Sequence, residues 1–259
     1  TLRTQWEALR RLDHFRREGV SNLSHDLRSP LTATTACLET LEARWTSDPQ
    51  RGDDRQLVEV ALRNTRNAAR LVQSLGDLAQ LDEPEFKLHT QRLDAAELLD
   101  DIVLRFAARA AGQDVELVAE PPAADEPPTV VAVDIELFER AVANLVDNAL
   151  KFCPAGGRIT LAARACRHRD ARGVAGRDPG PRVEVSVADT GPGIPAADIA
   201  HLFDRFYQSR QSVEPASSEH GKGLGLAIVK RIAELHGGDV WVASSSGLGT
   251  TVTLSLPAE

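Results

Sequence analysis

The segment from Ile135 to Phe152 restricts the possible folds more than any other stretch of the chain. Val142, Leu145, Val146, Ala149 and Leu150 recur at helical spacing, which predicts a helix packed into a core. Asn144, Asn148 and Lys151 recur at i, i+4 and i+7 of the same helix, so two amides and an ammonium share one face. Buried polar groups need a hydrogen bond or an ion, and a core helix does not gather them without a partner. Amide oxygens can ligate a hard cation such as Mg²⁺, and a lysine can meet phosphate. A solvated helix edge would also hold these side chains, and the glycine-rich segments nearer the C-terminus decide between the two.

There are three such segments. Asp189-Thr-Gly191-Pro-Gly193 continues directly from the alternating strand Val183–Val187. A glycine pair lets the backbone approach a flat ligand closely, and the aspartate can accept from an exocyclic amine, which would select adenine over guanine. A plain turn would have the same spelling. Gly221-Lys222-Gly223-Leu224-Gly225-Leu226 opens a helix predicted over Gly225 to His236. Backbone N–H groups and the dipole at a helix start favour an anion, so Gly221, Lys222, Gly223, Leu224 and Gly225 are candidate phosphate contacts. The spacing is not that of a P-loop, and no strand directly precedes it, so a Rossmann reading fails as well. Gly247-Leu-Gly249-Thr250-Thr251 is a hairpin turn whose hydroxyls could edge the adenine pocket, with Thr251 taken as the contact. Between the first two segments, Leu202, Phe203, Phe206 and Tyr207 precede a polar run, the pattern of an anchored mobile lid.

The N-terminal third has a different rhythm. Val20, Leu23, Leu27, Leu31, Thr34, Leu38 and Leu41 form one heptad seam. Leu57, Ala61, Asn64, Ala68, Leu71, Leu75 and Leu78 form another, after a polar break from Thr46 to Arg55. Two such helices make an antiparallel hairpin, and pairing with a second copy into a four-helix bundle buries both seams. His25 falls at a solvent-facing position of the first helix, beside Asp26, with Ser29 and Pro30 one turn on. Neutral imidazole is a good nucleophile, and a carboxylate accepting its Nδ1–H makes Nε2 more so. Pro30 removes the hydrogen bond to the carbonyl of Asp26 and weakens the helix there.

The remaining pattern is a helix from about Ala95 to Ala111 with strands at Val115–Ala119, Val130–Val133, Arg158–Ala165, Val183–Ala188, Asp239–Ser244 and Thr250–Leu256. Cys166 to Arg182 reads as a polar insertion at a hairpin tip. Strands and helices without βαβ regularity suggest an α/β sandwich with helices on one face of a sheet. The expected domains are a hairpin over residues 1–83, a linker over 84–94 and an α/β domain over 95–259. A net charge of −8 argues against sequence-independent nucleic-acid binding. No apolar run reaches the roughly 18 residues of a membrane helix. Cys37, Cys153 and Cys166 lack metal-type spacing and read as free thiols. With no methionine in the chain, we expect it to be the soluble part of a longer protein.

Taken in order, these segments resemble the catalytic core of the sensor histidine kinases of two-component signalling. His25 to Pro30 is similar to the family's H-box and Asn144 to Lys151 to its N-box. Asp189 to Gly193 and Gly221 to Leu226 are similar to its first and second glycine boxes, and Phe203 to Phe206 to its F-box. The resemblance implies a dimeric helical hairpin followed by a Bergerat-type ATP-binding α/β sandwich. It implies binding of ATP with Mg²⁺, autophosphorylation of a histidine, and transfer to an aspartate of a response-regulator receiver domain. By position, His25 would be the phosphoacceptor, Asp26 its orienting base and Asn148 the Mg²⁺ ligand, with Asn144 and Lys151 at the phosphates. Asp189 would bind the adenine amine in a pocket shaped by Gly191 and Gly193. Gln208 stands where many members carry a basic residue, which makes Arg205 the expected cation of the lid. Ser29 stands where members that dephosphorylate their partner often carry Thr or Asn, and its hydroxyl can position a water. A parent protein anchored in a bacterial inner membrane, with this part in the cytoplasm, completes the expectation. The alternative is a nucleotide-binding scaffold that docks a regulator without transferring phosphate.

Overall fold

The computed structural model describes residues 27, 31–32, 34–41, 43, 52–122, 126–167, 180–207 and 223–259. The chain divides into two compact units, Thr1–Phe86 and Lys87–Glu259.

The first unit contains α1, helical at residues 27, 31–32, 34–41 and 43, and α2, Gly52–Leu81. Helix α2 starts inside the stretch read as a polar break, at Gly52. Arg66 Nη2 donates to Glu39 Oε1 at 2.8 Å and ties the two helices at their surface. The expected seam is not the whole apolar surface of α2. Val58 and Leu62 are buried, whereas Leu57, on the adjoining stripe, is 69% exposed. His25, Asp26, Ser29 and Pro30 lie outside the described residues.

The second unit holds β1 (Gln91–Asp94), α3 (Ala95–Gly112), β2 (Glu116–Glu120), β3 (Val130–Val133), α4 (Ile135–Phe152) and β4 (Arg158–Arg167). It continues with β5 (Pro181–Asp189), α5 (Ala196–Ile199), α6 (Gly225–Leu235), β6 (Asp239–Ser245) and β7 (Gly249–Pro257). A five-stranded sheet runs β2-β4-β5-β7-β6, and β1 pairs antiparallel with β3 in a separate two-stranded sheet. Strand β1 lies in the stretch expected to be a linker, and pairing with β3 makes Gln91–Asp94 part of the second unit. The insertion also shortens, because Cys166, Arg167, Pro181 and Arg182 extend the β4–β5 ladder. All three cysteines are free, with Cys153 buried and Cys37 exposed.

Helices α3 and α4 begin on side-chain caps: Asp94 Oδ1 accepts from Ala96 N–H at 3.1 Å, and Asp134 Oδ1 from Leu137 N–H at 3.3 Å. Helix α4 buries Phe138, Val142, Leu145, Val146 and Leu150, and α6 buries Ile228, Val229 and Ile232. They cover the sheet face carrying Ile159, Leu161, Val185, Val187 and Leu254. Phe138 is 1% exposed, and Phe138→Ala would cost about 3–5 kcal/mol in this core. The opposite sheet face carries Thr160, Ser186, Thr251 and Thr253, the alternation of a sheet packed on one side.

Register defines two ends of the sandwich. Asp189 pairs with Ile159 and with Thr250, so the end of β5 meets the starts of β4 and β7. Helix α4 finishes just before β4 and therefore at this end. At the other end Asp239, which follows α6, pairs with Ser255, and Val131, which precedes α4, bridges to Ala258. Helices α4 and α6 thus run antiparallel, with the C-terminus of α4 and the N-terminus of α6 at the Asp189 end.

Candidate functional site

At the Asp189 end, β5 stops at a turn built on glycine. The Gly191 N–H donates to Asp189 Oδ1 at 2.8 Å, and a Cβ on Gly191 would lie 3.1 Å from the Phe152 carbonyl. The turn is therefore pressed against the C-terminus of α4. Gly193 has φ +72°, and a Cβ there would collide with the Ser245 carbonyl. Ser244 Oγ accepts from Ile194 N–H at 2.8 Å and donates to the Gly249 carbonyl at 2.8 Å. Gly247 N–H reaches the Pro192 carbonyl at 2.7 Å, completing a seam between the turn and the β6–β7 hairpin.

Burial pushes the Asp189 carboxyl above the ordinary aspartate pKa, against the opposing pull of the N–H groups of Gly191 and Thr250. A carboxylate kept partly out of water has unsatisfied acceptor capacity, which suits an amine donor. Asn144 adds a second unsatisfied group. Its Nδ2 is buried and, among the described residues, has no hydrogen-bond partner. Asn148 lies one turn on and is half-buried. Lys151 comes next on this face, with its Nζ 4.6 Å from the centre of the Phe152 ring, and burial holds its ammonium below the ordinary lysine pKa. A phosphate would supply a counter-charge that this half-buried cation does not find among the described residues.

Helix α6 begins at the same end. Its N-cap, Leu224, makes no side-chain capping bond, so no side chain of the cap competes for the first-turn amides. Gly223 has φ +72°, and a Cβ there would collide with the Tyr207 carbonyl, while Phe206 N–H donates to the Gly223 carbonyl at 2.8 Å. Among the described residues a Cβ on Gly225 would meet nothing within 4 Å. Gly221 and Lys222 lie outside the described residues. Arg205 is exposed on the turn after α5. Phe206 is 56% exposed with φ +64°, so it does not anchor the lid base as expected from its hydrophobicity, whereas Leu202 and Phe203 are half-buried. Tyr207 OH donates to Asp198 Oδ1 at 2.7 Å and fixes this turn to α5.

One expected contact falls elsewhere. Thr251 pairs with Ala188 and lines the opposite face of the sheet with Ser186 and Thr253. Thr250 is the hydroxyl on the Asp189 side, with its Oγ1 2.9 Å from Ser244 Oγ. The period of two along a strand separates neighbouring threonines in this way. Ser244 was not anticipated, because nothing local marks it as the link between hairpin and turn.

The chemistry of these groups fits a purine nucleotide. An acceptor sits in a thin turn at one side, and an unpartnered amide, a lysine and open helix amides sit at the other. The amide oxygen of Asn148 is of the donor type that Mg²⁺ takes. Known proteins point the same way. Residues 133–259 match the histidine kinase-, DNA gyrase B-, and HSP90-like ATPase family, and residues 15–84 match the His Kinase A (phospho-acceptor) domain. An ATPase domain behind a phospho-acceptor domain defines the class. The chain belongs to the sensor histidine kinase family, of which it spans the catalytic core. Sensor histidine kinase WalK of Bacillus subtilis is 32% identical over 250 residues, 95% of this chain and 37% of that protein. Adaptive-response sensory kinase SasA of Synechococcus sp. (strain JA-3-3Ab) is 31% identical over 258 residues, 99% of this chain and 63% of that protein. Full-length ShkA, solved in complex with AMPPNP, aligns with TM-score 0.68 and 27% identity over 93% of this chain and 45% of that one. The chain thus spans less than two thirds of the length of each of these relatives.

Proposed function

We propose that this chain moves the terminal phosphoryl group of ATP to His25, and from His25 to an aspartate of a response-regulator receiver domain. The observation that carries the reading is the buried amide nitrogen of Asn144, unpartnered among the described residues, midway along the helix whose C-terminus lies at the Asp189 end. Bound ATP with Mg²⁺ supplies the phosphoryl group, and the cation offsets the phosphate charge. Asn148 offers Mg²⁺ its side-chain oxygen, while Asn144 and Lys151 address the phosphates. Asp189 accepts from the adenine amine, and Gly191 and Gly193 keep the turn thin enough for the ring to approach. Gly221, Lys222, Gly223, Leu224 and Gly225 turn backbone amides to the phosphates, and Arg205 adds positive charge. On the hairpin, the reading gives Asp26 the role of orienting base for His25 and Nε2 that of the attacking atom. Ser29 offers a hydroxyl for orienting a water in the reverse, phosphatase direction.

The reading includes a homodimer, because Leu57 and the stripe it belongs to need a cover that a single hairpin does not give. Among the described residues no helix is long and apolar enough to cross a membrane. Attachment of a longer parent protein to a bacterial inner membrane, with this part in the cytoplasm, belongs to the same proposal.

The test is incubation of the chain with γ-labelled ATP and Mg²⁺. We expect an acid-labile, base-stable label that His25→Gln abolishes while nucleotide affinity stays within about twofold of the parent, since acceptor and pocket occupy separate units. Nucleotide binding without any label would leave a scaffold, and label persisting on the His25 variant would assign another acceptor.

A further inference from the structure

At the end of the sandwich away from Asp189, a buried histidine joins the two helices that carry the phosphate contacts. His236 Nδ1 lies 2.8 Å from the Ile232 carbonyl, and its Nε2 lies 3.0 Å from the backbone nitrogen of Asp134. The carbonyl can only accept and the amide can only donate. The ring is therefore neutral, protonated on Nδ1 and accepting at Nε2. The second bond spans 102 positions of sequence. Its donor is the N-cap of α4, whose carboxylate is also engaged: Oδ1 accepts from Leu137 N–H and Oδ2 accepts from His89 N–H at 3.1 Å.

The two helices run antiparallel from this clasp to the nucleotide end. Asn148 lies 14 residues along α4 from Asp134, about 21 Å at helical rise. Gly225 lies 11 residues back along α6 from His236, about 17 Å. The faces between them are apolar, with Val142, Val146, Ile228 and Ile232 buried. Apolar contact is non-directional and tolerates small axial shifts, whereas a hydrogen bond of fixed length does not. The clasp is thus a directional restraint on how far one helix slides along the other.

We propose that His236 is a positioning residue for the triphosphate: by holding the C-terminus of α6 to the N-cap of α4, it sets the distance between the first-turn amides of α6 and the Asn144, Asn148 and Lys151 face of α4. The adenine turn touches the C-terminus of α4 at Phe152, but its own bonds, Ile194 N–H to Ser244 Oγ and Gly247 N–H to the Pro192 carbonyl, hold it to the β6–β7 hairpin rather than to α6. The inference rests on the nucleotide-binding reading above, and its signature is selective. Loss of the clasp weakens phosphate recognition and spares the base.

The experiment compares ATP and adenosine affinities by calorimetry for the full chain and two variants. His236→Asn retains an amide nitrogen near the Nδ1 position but is too short to reach Asp134. His236→Gln can return a carbonyl oxygen to the Nε2 position. We expect His236→Asn to weaken ATP by about tenfold, the scale of small misplacements of binding groups, with adenosine affinity unchanged. His236→Gln should recover most of the loss. Equal weakening of both ligands, no change in either, or a glutamine variant no better than the asparagine variant would overturn the proposal. If His236→Asn does not fold, His236→Leu, which cannot accept from the Asp134 N–H, takes its place: a selective loss of ATP is expected, and parent-like binding of both ligands would overturn the proposal. A parent chain that binds neither ligand would overturn the nucleotide reading itself, and this inference with it.

Discussion

Thr250 stands directly opposite Asp189 in the β5–β7 ladder and donates its backbone N–H to the Asp189 carboxylate. The pairing divides two adjacent threonines between two environments. Thr250→Val keeps that backbone donor but removes the hydroxyl beside Ser244, and should lower ATP affinity several-fold, in line with loss of a hydrogen bond worth about 1 kcal/mol. Thr251→Val, on the far face, should stay within about twofold. Titration calorimetry on both variants settles the matter, and the reverse order would return the contact to Thr251.

Asp189 makes stability and function oppose each other. Burial raises its pKa, so the ionised form is less favoured in the folded chain than in the unfolded one. Its stabilising contribution is complete below the unfolded value of about 3.9 and is lost as pH rises through the raised folded value. At pH 7 the carboxylate is therefore a net cost to the empty fold. Asp189→Asn should melt higher than the parent without nucleotide, yet bind ATP about tenfold or more weakly. A lower melting point for the variant would contradict the desolvation argument.

Lys151 gives a pH dependence of opposite origin. Burial lowers its pKa, so the free protein loses this positive charge earlier on the alkaline side than an exposed lysine would. Phosphate restores the charged form, so ATP binding should take up protons increasingly as pH rises toward that lowered value. Calorimetry in two buffers of different ionisation enthalpy reads the uptake. Lys151→Arg, which stays protonated, should abolish it, and uptake that survives the substitution would implicate another group.

Gly249 has φ +91°, and a Cβ there would collide with the Asp189 carbonyl across the ladder. Backbone cannot swing aside as a side chain can. Gly249→Ala should destabilise the second unit by about 2 kcal/mol or more through strain and collision together. Chemical denaturation measures it; a cost under about 0.5 kcal/mol, the range of ordinary surface changes, would refute the tight approach.

The limits of α4 were legible to the residue, Ile135 to Phe152, because a capping aspartate precedes it and Cys153-Pro154 ends it. The turns at Gly193, Gly223 and Gly249 were legible as well, since positive φ and close backbone approach exclude side chains and leave a trace in composition. Strand β1 was not. Gln91-Arg-Leu-Asp94 carries one apolar residue, and its partner β3 lies some forty residues away. The threonine assignment failed for a related reason. Alternation is written in the strand, but which parity faces the ligand depends on register with β5. His236 was missed because its partner is known only from the fold. For α2 the heptad spacing was real, yet a second apolar stripe through Val58 and Leu62 ran beside it.

Residues 258 and 259 are stitched to the middle of the sequence. Glu259 donates its N–H to the Val130 carbonyl at 3.0 Å, Ala258 bridges to Val131, and the Glu259 carboxylate meets Arg92 at 2.7 Å. During synthesis these stitches cannot form until both residues have left the ribosomal tunnel. The β1–β3 ribbon must therefore wait for them while the β4–β5 hairpin is already outside. Ribosome-bound chains in which residue 259 is still inside the tunnel should show the ribbon open to protease, and chains in which it has emerged should show it closed. The ribbon, whose two strands are both synthesised before β4 begins, is thus among the last parts to be locked.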